Sequence, residues 1–473
     1  MALRYFIIRI LIAIPTLVVI SFMSFGLSRL APGDPIRQFY GEDLENYSNT
    51  VTSLQYADIT YANIAKKLGY DKPFFYISLN SVAEPDTFFR ILKRDQRIVL
   101  NELIDAYGNW PEIQTYYQDV NTLYRSILTV PDSLQEKRNL TKLVRQLFGV
   151  SNISEIKARL HTIEQESNSL DANDKTNIIA IVNKLLSDSD AIVKNATTYK
   201  NYIPTFTWHG TNNQYHHWLT AFCKGDFGIS YKDNRPVYDR LIEAARWTVS
   251  INFFSLLLAF LISIPLGVWA AINRGKWSER VSSIIVFLIY SLPPFWIGTM
   301  FVEFFTTPEY GIGIFPSVGL GDAPTDATFF EKWQIALPHL ILPIACITYP
   351  SIAFISRQMK SSMLNTLRMD FVRTAKAKGL SSKSVIWKHA FRNSLFPIIT
   401  LISSVFPTLL AGSVVIEVIF NIPGMGRLVY ESIFARDWPI VYAALMIGAI
   451  LTLIGNLFAD WLYMLLDPRV SFD

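Results

Sequence analysis

Six stretches of the chain are long enough and apolar enough to cross a lipid bilayer. Each holds ~18 or more consecutive residues without Lys, Arg, Asp or Glu, the length that an α-helix needs to span the hydrocarbon core. This clustering says more than the overall composition of 51% hydrophobic and 17% charged residues. We therefore expect an all-α integral membrane protein with six transmembrane helices, in the windows Ile10–Leu27, Trp247–Ile272, Val281–Val302, Ile335–Ser356, Asn393–Ile416 and Trp438–Ala459.

The loops between these windows differ in charge. The polar island Arg357–Asn393 holds nine Lys or Arg against one acid, Asp370. Basic loops flanking membrane spans stay on the cytoplasmic side. The sequence therefore predicts that both termini are cytoplasmic, with residues 1–30 as an uncleaved N-terminal membrane helix. Residues 31–246 are then extracytoplasmic, and residues 247–473 form a core of five further spans that contains the cytoplasmic loop 357–393.

The predicted extracytoplasmic segment contains a second kind of pattern. An amphipathic stretch lies near Tyr61–Leu68, and within about 81–201 apolar residues recur at helical spacing over several segments. Prolines at Pro111 and Pro131 each precede an acid, which is typical of a first helical turn. We expect an inserted, mainly helical subdomain with five or six helices, although no repeated sequence motif is present.

Histidines and cysteines are the next candidates for chemistry. His209, His216 and His217 lie close in sequence, but no acid or Cys completes a familiar metal-ligand spacing. Cys223 and Cys346 lie in different kinds of segment and form no CxxC motif, so a disulfide is not expected. The sequence predicts no metal site, no cofactor and no nucleic-acid partner.

The motifs of ATP binding and of catalysis are absent from the sequence. No G-x-x-x-x-G-K-[ST] loop and no hydrolase, metalloprotease or kinase motif occurs. Ionisable residues within the spans are scarce, with His339 the clearest, whereas ion-driven transporters use buried charged relays. This pattern favours a non-catalytic membrane protein whose energy comes from another chain.

The basic island has its own internal pattern. A short amphipathic stretch around Phe371 is followed by Gly379 and then by a second amphipathic stretch that leads into the fifth window. We expect a helix, a turn at the glycine and a second helix. Such a helix can dock into a groove of a partner protein or lie on anionic lipid headgroups, and the pattern alone favours neither.

These residues resemble one known family, the first permease subunit of dipeptide/oligopeptide ABC importers. DFVRTAKAKGL (Asp370–Leu380) is similar to the family's loop that couples to the ATPase. Further similar motifs cover everything except roughly 81–201: Leu30–Pro35, Lys224–Val237, Ser291–Gly298, Gly412–Val441 and Leu465–Val470. The resemblance assigns ATPase coupling to Asp370, Arg373, Thr374, Ala375, Gly379 and His389, and His389 departs from the broad importer consensus. It also places Asn421, Pro423, Gly424 and Gly426 in an external element near the gate.

The resemblance implies a complete transport assembly in a bacterial cytoplasmic (inner) membrane. A homologous second permease would complete the pore, two ATP-binding subunits would hydrolyse ATP, and an extracytoplasmic solute-binding protein would deliver a di- or oligopeptide. Nickel chelates, glutathione and oligosaccharides are alternative substrates within this branch, and no substrate-binding residue is assigned. An ATP-independent channel or secondary transporter is the alternative of another class, as is a membrane-anchored protein that acts through the insertion.

Overall fold

The computed structural model describes residues 2–30, 34, 36, 51–130, 135–309, 311–316, 318–324, 326–405 and 412–466. The chain divides into two compact units, which we call the span unit (residues 1–30 and 227–473) and the 31–226 unit. Apart from one two-stranded sheet in the 31–226 unit, the regular structure described is helical. This confirms the predicted all-α class.

The span unit holds the long apolar helices. They are α1 (Ala2–Leu30), α9 (Val237–Ile272), α10 (Trp277–Ser291), α11 (Pro294–Thr306), α12 (Phe329–Thr366) and α17 (Trp438–Leu466). Within the described residues, four helices are long and apolar enough to cross a membrane, or five if α10 and α11 form one bent span. The predicted fifth span falls partly on residues 406–411, which lie outside the described residues; α14 (Phe396–Val405) occupies its first part.

Two predicted spans differ in shape from the sequence-based expectation. The window Val281–Val302 is not one helix, because α10 and α11 meet at a bend of 90°. Pro293 and Pro294 explain the break, since proline lacks an N–H and disfavours helical conformation in the residue before it. The helix that contains the second window is longer than that window, as α9 begins at Val237 and runs without interruption through Trp247.

Helices α9 and α12 pack against each other along a stripe of small residues. Ser255, Ala259, Ser263 and Gly267 of α9 are buried at four-residue spacing. Two of their hydroxyls reach the α12 backbone, from Ser255 to the carbonyl of Ile344 (3.4 Å) and from Ser263 to that of Ile352 (3.2 Å). Small residues let membrane helices approach closely, because packing and interhelical hydrogen bonds replace the hydrophobic effect there.

The two ends of the span unit's chain lie at the same end of that unit. Arg9 near the start of α1 pairs with Asp460 near the end of α17 at 3.0 Å, and Phe25 contacts Tyr442 further along the same two helices. Helices α1 and α17 are therefore antiparallel neighbours. This arrangement is the one that an even number of membrane crossings requires.

The 31–226 unit is built mainly from helices. In chain order they are α2 (Val51–Lys67), α3 (Arg94–Tyr107), α4 (Trp110–Thr129), α5 (Gln135–Leu147), α6 (Ile153–Glu166), α7 (Ala172–Lys194) and α8 (Gln214–Cys223). Helices α3–α7 are the helices predicted within 81–201, and their apolar faces meet in one core around Leu103, Ile113, Leu123 and Leu160. Pro111 lies in the first turn of α4, as predicted, whereas Pro131 lies outside the described residues.

A small antiparallel sheet lies between the helices of this unit in sequence. Strands β1 (Ile77–Ser81) and β2 (Pro204–Trp208) pair in the register Ile77↔Trp208. The three candidate histidines lie near this sheet, and each is hydrogen-bonded to a different side chain: His209 to Ser78, His216 to Tyr76 and His217 to Lys72. No cluster of three or more metal-binding side chains occurs among the described residues.

Candidate functional site

The predicted coupling loop forms a helix that ends at a glycine. Helix α13 (Asp370–Ala377) closes through bonds from the Gly379 amide to the Lys376 carbonyl (3.0 Å) and from the Leu380 amide to the Ala375 carbonyl (3.4 Å). This is the Schellman arrangement, which needs a left-handed residue after the helix. Gly379 has φ +75°, and a Cβ there would meet no atom within 4 Å. Backbone conformation, rather than close packing, therefore explains this glycine.

The inner face of α13 is locked into the span unit. Val372 and Ala375 are buried in a cluster with Met359 and Met363 of α12 and Val268 of α9. Of the predicted coupling residues, Ala375 therefore faces the helices behind it. A displacement of α13 would have to be transmitted to α12 and α9, because close-packed cores deform little.

The outer face of α13 carries the other predicted residues of the loop. The Arg373 guanidinium lies 3.3 Å from the Asp370 carboxylate, and both side chains are exposed. Thr374 donates its hydroxyl to the Asp370 carbonyl at 3.0 Å. The structure therefore brings Asp370, Arg373 and Thr374 together on one exposed surface. Exposed apolar side chains occur in and next to α13, at Met369, Phe371 and Leu380, and in the second half of the loop at Trp387.

The second half of the loop is helical but not regular. After a turn of helix at Ser382–Ser384, the chain forms a π-helical stretch over Val385–Ala390 and then a turn over Phe391–Ser394. The predicted coupling residue His389 lies half-buried in the π-helical stretch, apart from α13 in sequence. Short π-helical segments are rare and are often found at functional sites.

Two polar contacts fasten this loop region to its neighbours. Ser362 of α12 donates its hydroxyl to the Ser394 carbonyl at 2.7 Å. Lys360 of α12 binds Glu279 of α10 at 2.5 Å and Ser283 at 3.2 Å. Lys360, one of the nine basic residues of the island, is therefore paired with an acid rather than freely exposed. The lone acid in the loop 273–280 was the only hint of this pair in the sequence.

The predicted gate element is a turn between two short helices. Helix α15 (Val414–Ile419) leads through Asn421, which has φ +54°, to α16 (Met425–Phe434). Asn421 and Pro423 are exposed, and the Asn421 side chain accepts a hydrogen bond from the Arg427 guanidinium. Gly424 and Gly426 are buried. The predicted residues therefore share one turn but face in two directions.

A buried carboxylate at Asp437 fastens α16 from its other end. Asp437 is 1% exposed and accepts hydrogen bonds from the Ser230 hydroxyl (2.5 Å) and the Tyr231 amide (2.9 Å). Burial raises the pKa of Asp437, and these hydrogen bonds partly offset the rise. Two motifs that are distant in sequence, Lys224–Val237 and Gly412–Val441, thus meet at this side chain.

Comparisons with known proteins concern this part of the chain. A family described as the binding-protein-dependent transport system inner membrane component matches residues 263–472, which include α13 and the α15–α16 turn. An oligopeptide transport system permease protein of Bacillus subtilis is 35% identical over 260 residues, covering 55% of this chain and 80% of that protein. A dipeptide transport system permease protein of Alkalihalophilus pseudofirmus is 33% identical over 272 residues, covering 55% and 81%. A glutathione transport system permease protein of Escherichia coli K12 is 31% identical over 260 residues, covering 55% and 79%.

Proposed function

The chain belongs to the family of binding-protein-dependent transport system inner membrane components, as a peptide-type ABC importer permease subunit, and we propose that it carries di- or oligopeptides across the membrane. The observation that carries this proposal is α13. Its inner residues Val372 and Ala375 are buried in the span unit, whereas its outer residues are free to meet a partner. A helix that passes motion from a partner protein into the membrane helices needs one face bound to each of them.

In this proposal ATP is hydrolysed by two separate subunits. The family is a membrane component, and no phosphate-binding loop occurs in the sequence. An ATPase would dock on the outer face of α13, where exposed apolar side chains such as Phe371 are interleaved with cations such as Arg373. Apolar side chains in the middle of an interface provide affinity, and the surrounding charges provide orientation.

The pore requires a second, homologous permease, and the substrate requires a delivery protein. The exposed apolar faces of α1, α9, α10 and α17 suit a lipid environment and a partner permease. The basic loop 357–393 then faces the cytoplasm together with both termini, and the α15–α16 turn faces an extracytoplasmic solute-binding protein. Movement of α13 would pass through α12 and α9 and open or close the pore on the other side.

Glutathione is the second candidate substrate, because one relative of the chain is a glutathione transport system permease protein. It is itself a tripeptide, so the two candidates differ in selectivity rather than in mechanism. Uptake of labelled dipeptides and of labelled glutathione into vesicles that contain the whole importer would separate them. Nickel chelates and oligosaccharides are the further alternatives for the same assay.

A charge-reversal pair tests the docking surface. Arg373→Glu places a negative charge on the outer face of α13, and Arg280→Glu places one in the first turn of α10, where the side chain is also exposed. We expect Arg373→Glu to reduce co-purification of the ATPase and ATP-dependent uptake by tenfold or more, and Arg280→Glu to change neither by more than twofold. Equal behaviour of the two variants, or full uptake without ATP, would refute the proposal.

A further inference from the structure

Glu417 is a buried carboxylate to which the proposed transport cycle assigns no role. It lies in α15 and is 3% exposed, at the point where α9, α15 and α16 meet in the span unit. Carboxylates are almost never fully buried unless other groups satisfy them. The partners of this one therefore indicate what it does.

Two hydrogen bonds connect Glu417 with two other helices, and a third connects those two helices with each other. The Thr248 hydroxyl of α9 donates to its Oε1 at 2.9 Å, and the Arg427 amide of α16 donates to its Oε2 at 2.8 Å. The same Thr248 oxygen accepts a hydrogen bond from the Met425 amide at 2.7 Å. Amides of a first helical turn have no partner within their own helix. One hydroxyl and one carboxylate thus close the beginning of α16 and tie it to α9.

Three glycines enclose this carboxylate. A Cβ added to Gly412, Gly424 or Gly426 would come within 3.0 Å of the Glu417 side chain. Gly412 has a positive φ of +69°, but Gly424 and Gly426 do not, so turn conformation does not account for them. Close approach of the backbone to Glu417 does. The glycines of the predicted gate element are therefore part of a cradle for a side chain that lies outside that element.

We propose that Glu417 and Thr248 form a clamp that makes the α15–α16 turn move together with α9. Both are positioning residues: they are buried in this conformation, and they act through the turn that they hold. The inference rests on the proposed function, because it assigns to the clamp the role of carrying motion from α13 to the gate.

Helix α9 connects the clamp with the coupling loop directly. Thr248 lies in the first half of α9 and Val268 near its end, and Val268 belongs to the cluster that buries Ala375 of α13. At 1.5 Å per residue these two positions are ~30 Å apart, about the thickness of a bilayer core. Because α9 is one helix between these two positions and is held at both, it can carry a displacement across that distance without a further element.

Two substitutions of Thr248, one that removes its hydroxyl and one that keeps it, test the clamp in the complete importer. Thr248→Val keeps the shape of the side chain but removes both hydrogen bonds, whereas Thr248→Ser keeps them. Thr452→Val is the matched control, because the Thr452 hydroxyl bonds only the Gly448 carbonyl of its own helix in the described contacts. We expect Thr248→Val to raise the ATP hydrolysed per peptide imported at least fivefold. Thr248→Ser and Thr452→Val should stay within twofold of the unmodified chain.

A second measurement needs no transport. Hydrogen exchange of the α16 amides should be at least tenfold faster in Thr248→Val than in Thr248→Ser or Thr452→Val, in the permease purified alone. If the unmodified importer shows no ATP-dependent uptake, the proposed function fails, and the exchange measurement still decides whether the clamp exists. If Thr248→Val does not reach the membrane, Glu417→Gln replaces it under the same two criteria.

The clamp proposal has a clear refutation. Equal coupling ratios in Thr248→Val and Thr452→Val, with normal uptake by the unmodified importer, would overturn the role in transmission. Equal exchange rates would overturn the clamp itself. Loss of coupling in Thr248→Ser as severe as in Thr248→Val would also overturn it, since the serine hydroxyl preserves both bonds.

Discussion

Replacing Gly267 by alanine tests the packing of α9 on α12, on which both proposals depend. Gly267 is the last residue of the small-residue stripe and lies in close contact with α12. A Cβ at this position would lie 2.6 Å from both the Met359 Cβ and the Ser356 carbonyl oxygen of α12. One of these atoms belongs to the backbone, so a rotamer change cannot relieve the contact. The helices must separate.

The expected size of the effect follows from a matched glycine in another helix. Forcing extra volume into a packed contact costs ~1–3 kcal/mol. Replacing glycine by alanine in a helix interior also stabilises the folded state by roughly 0.5–1 kcal/mol. At Gly448 of α17 a Cβ would meet no atom within 4 Å, so Gly448→Ala receives the gain without the clash. The difference between the Gly267 and Gly448 variants is then ~1–3 kcal/mol, with the helix-propensity contribution cancelled.

Thermal unfolding of the purified permease measures this difference. For domains of about 150–250 residues, 1 kcal/mol corresponds to ~2–4 °C in the unfolding temperature, and we use this scale for the span unit. We expect Gly267→Ala to unfold roughly 2–12 °C below Gly448→Ala when both are scanned at the same rate, which irreversible unfolding requires. Uptake should fall in the same variant. An unfolding temperature for Gly267→Ala equal to or above that of Gly448→Ala would refute the close contact between the helices.

Three further predictions concern other parts of the chain. Gly379 and Gly275 both have positive φ (+75° and +86°) and open surroundings, so alanine carries the same backbone penalty of ~1–2 kcal/mol at each. Gly379→Ala should nevertheless lower ATPase co-purification and uptake while Gly275→Ala does not, because only Gly379 closes α13. Lys360→Met should lower the unfolding temperature more than the double change Lys360→Met with Glu279→Gln, because the single change leaves the buried Glu279 carboxylate without its cation. Equal unfolding temperatures would contradict a stabilising Lys360–Glu279 pair. Burial and a neighbouring carboxylate raise the pKa of Asp188 to about 6. A raised carboxyl pKa favours the folded state at low pH, so stability should be lost as pH rises through about 6. Asp188→Asn should flatten the unfolding temperature between pH 4.5 and 7.5.

Local patterns predicted the parts of this protein that depend on near neighbours in sequence. The apolar windows predicted the long helices, since a run without charges must avoid water whatever surrounds it. The glycine at 379 predicted the end of α13, because a left-handed residue closes a helix by bonds within five residues. Helices α3–α7 followed from their own apolar periodicity. Resemblance in several ordered motifs then indicated the family, which the comparisons show.

The break in the third window was within reach of the sequence. Pro293 and Pro294 are adjacent, and the rules for proline predict an interruption. Hydropathy alone, however, treats the window as one span, because both halves are apolar. Whether the two halves continue in one direction or turn by 90° depends on what they pack against, and that is not encoded in the window.

The candidate site also combines features that local sequence predicts with features that depend on long-range packing. Local sequence was enough to predict helix α13 of the proposed coupling loop, its terminal Gly379 and the turn of the proposed gate element, because each is formed by residues that are close together in the chain. Three other features depend on tertiary packing: Ala375 faces inward, Lys360 is paired, and Glu417 meets Thr248. A hydrogen bond between side chains 169 positions apart has no local pattern. It exists only once α9 and α15 have packed, whereas the glycines of the turn between α15 and α16 are explained by the close approach of Glu417 to their backbone.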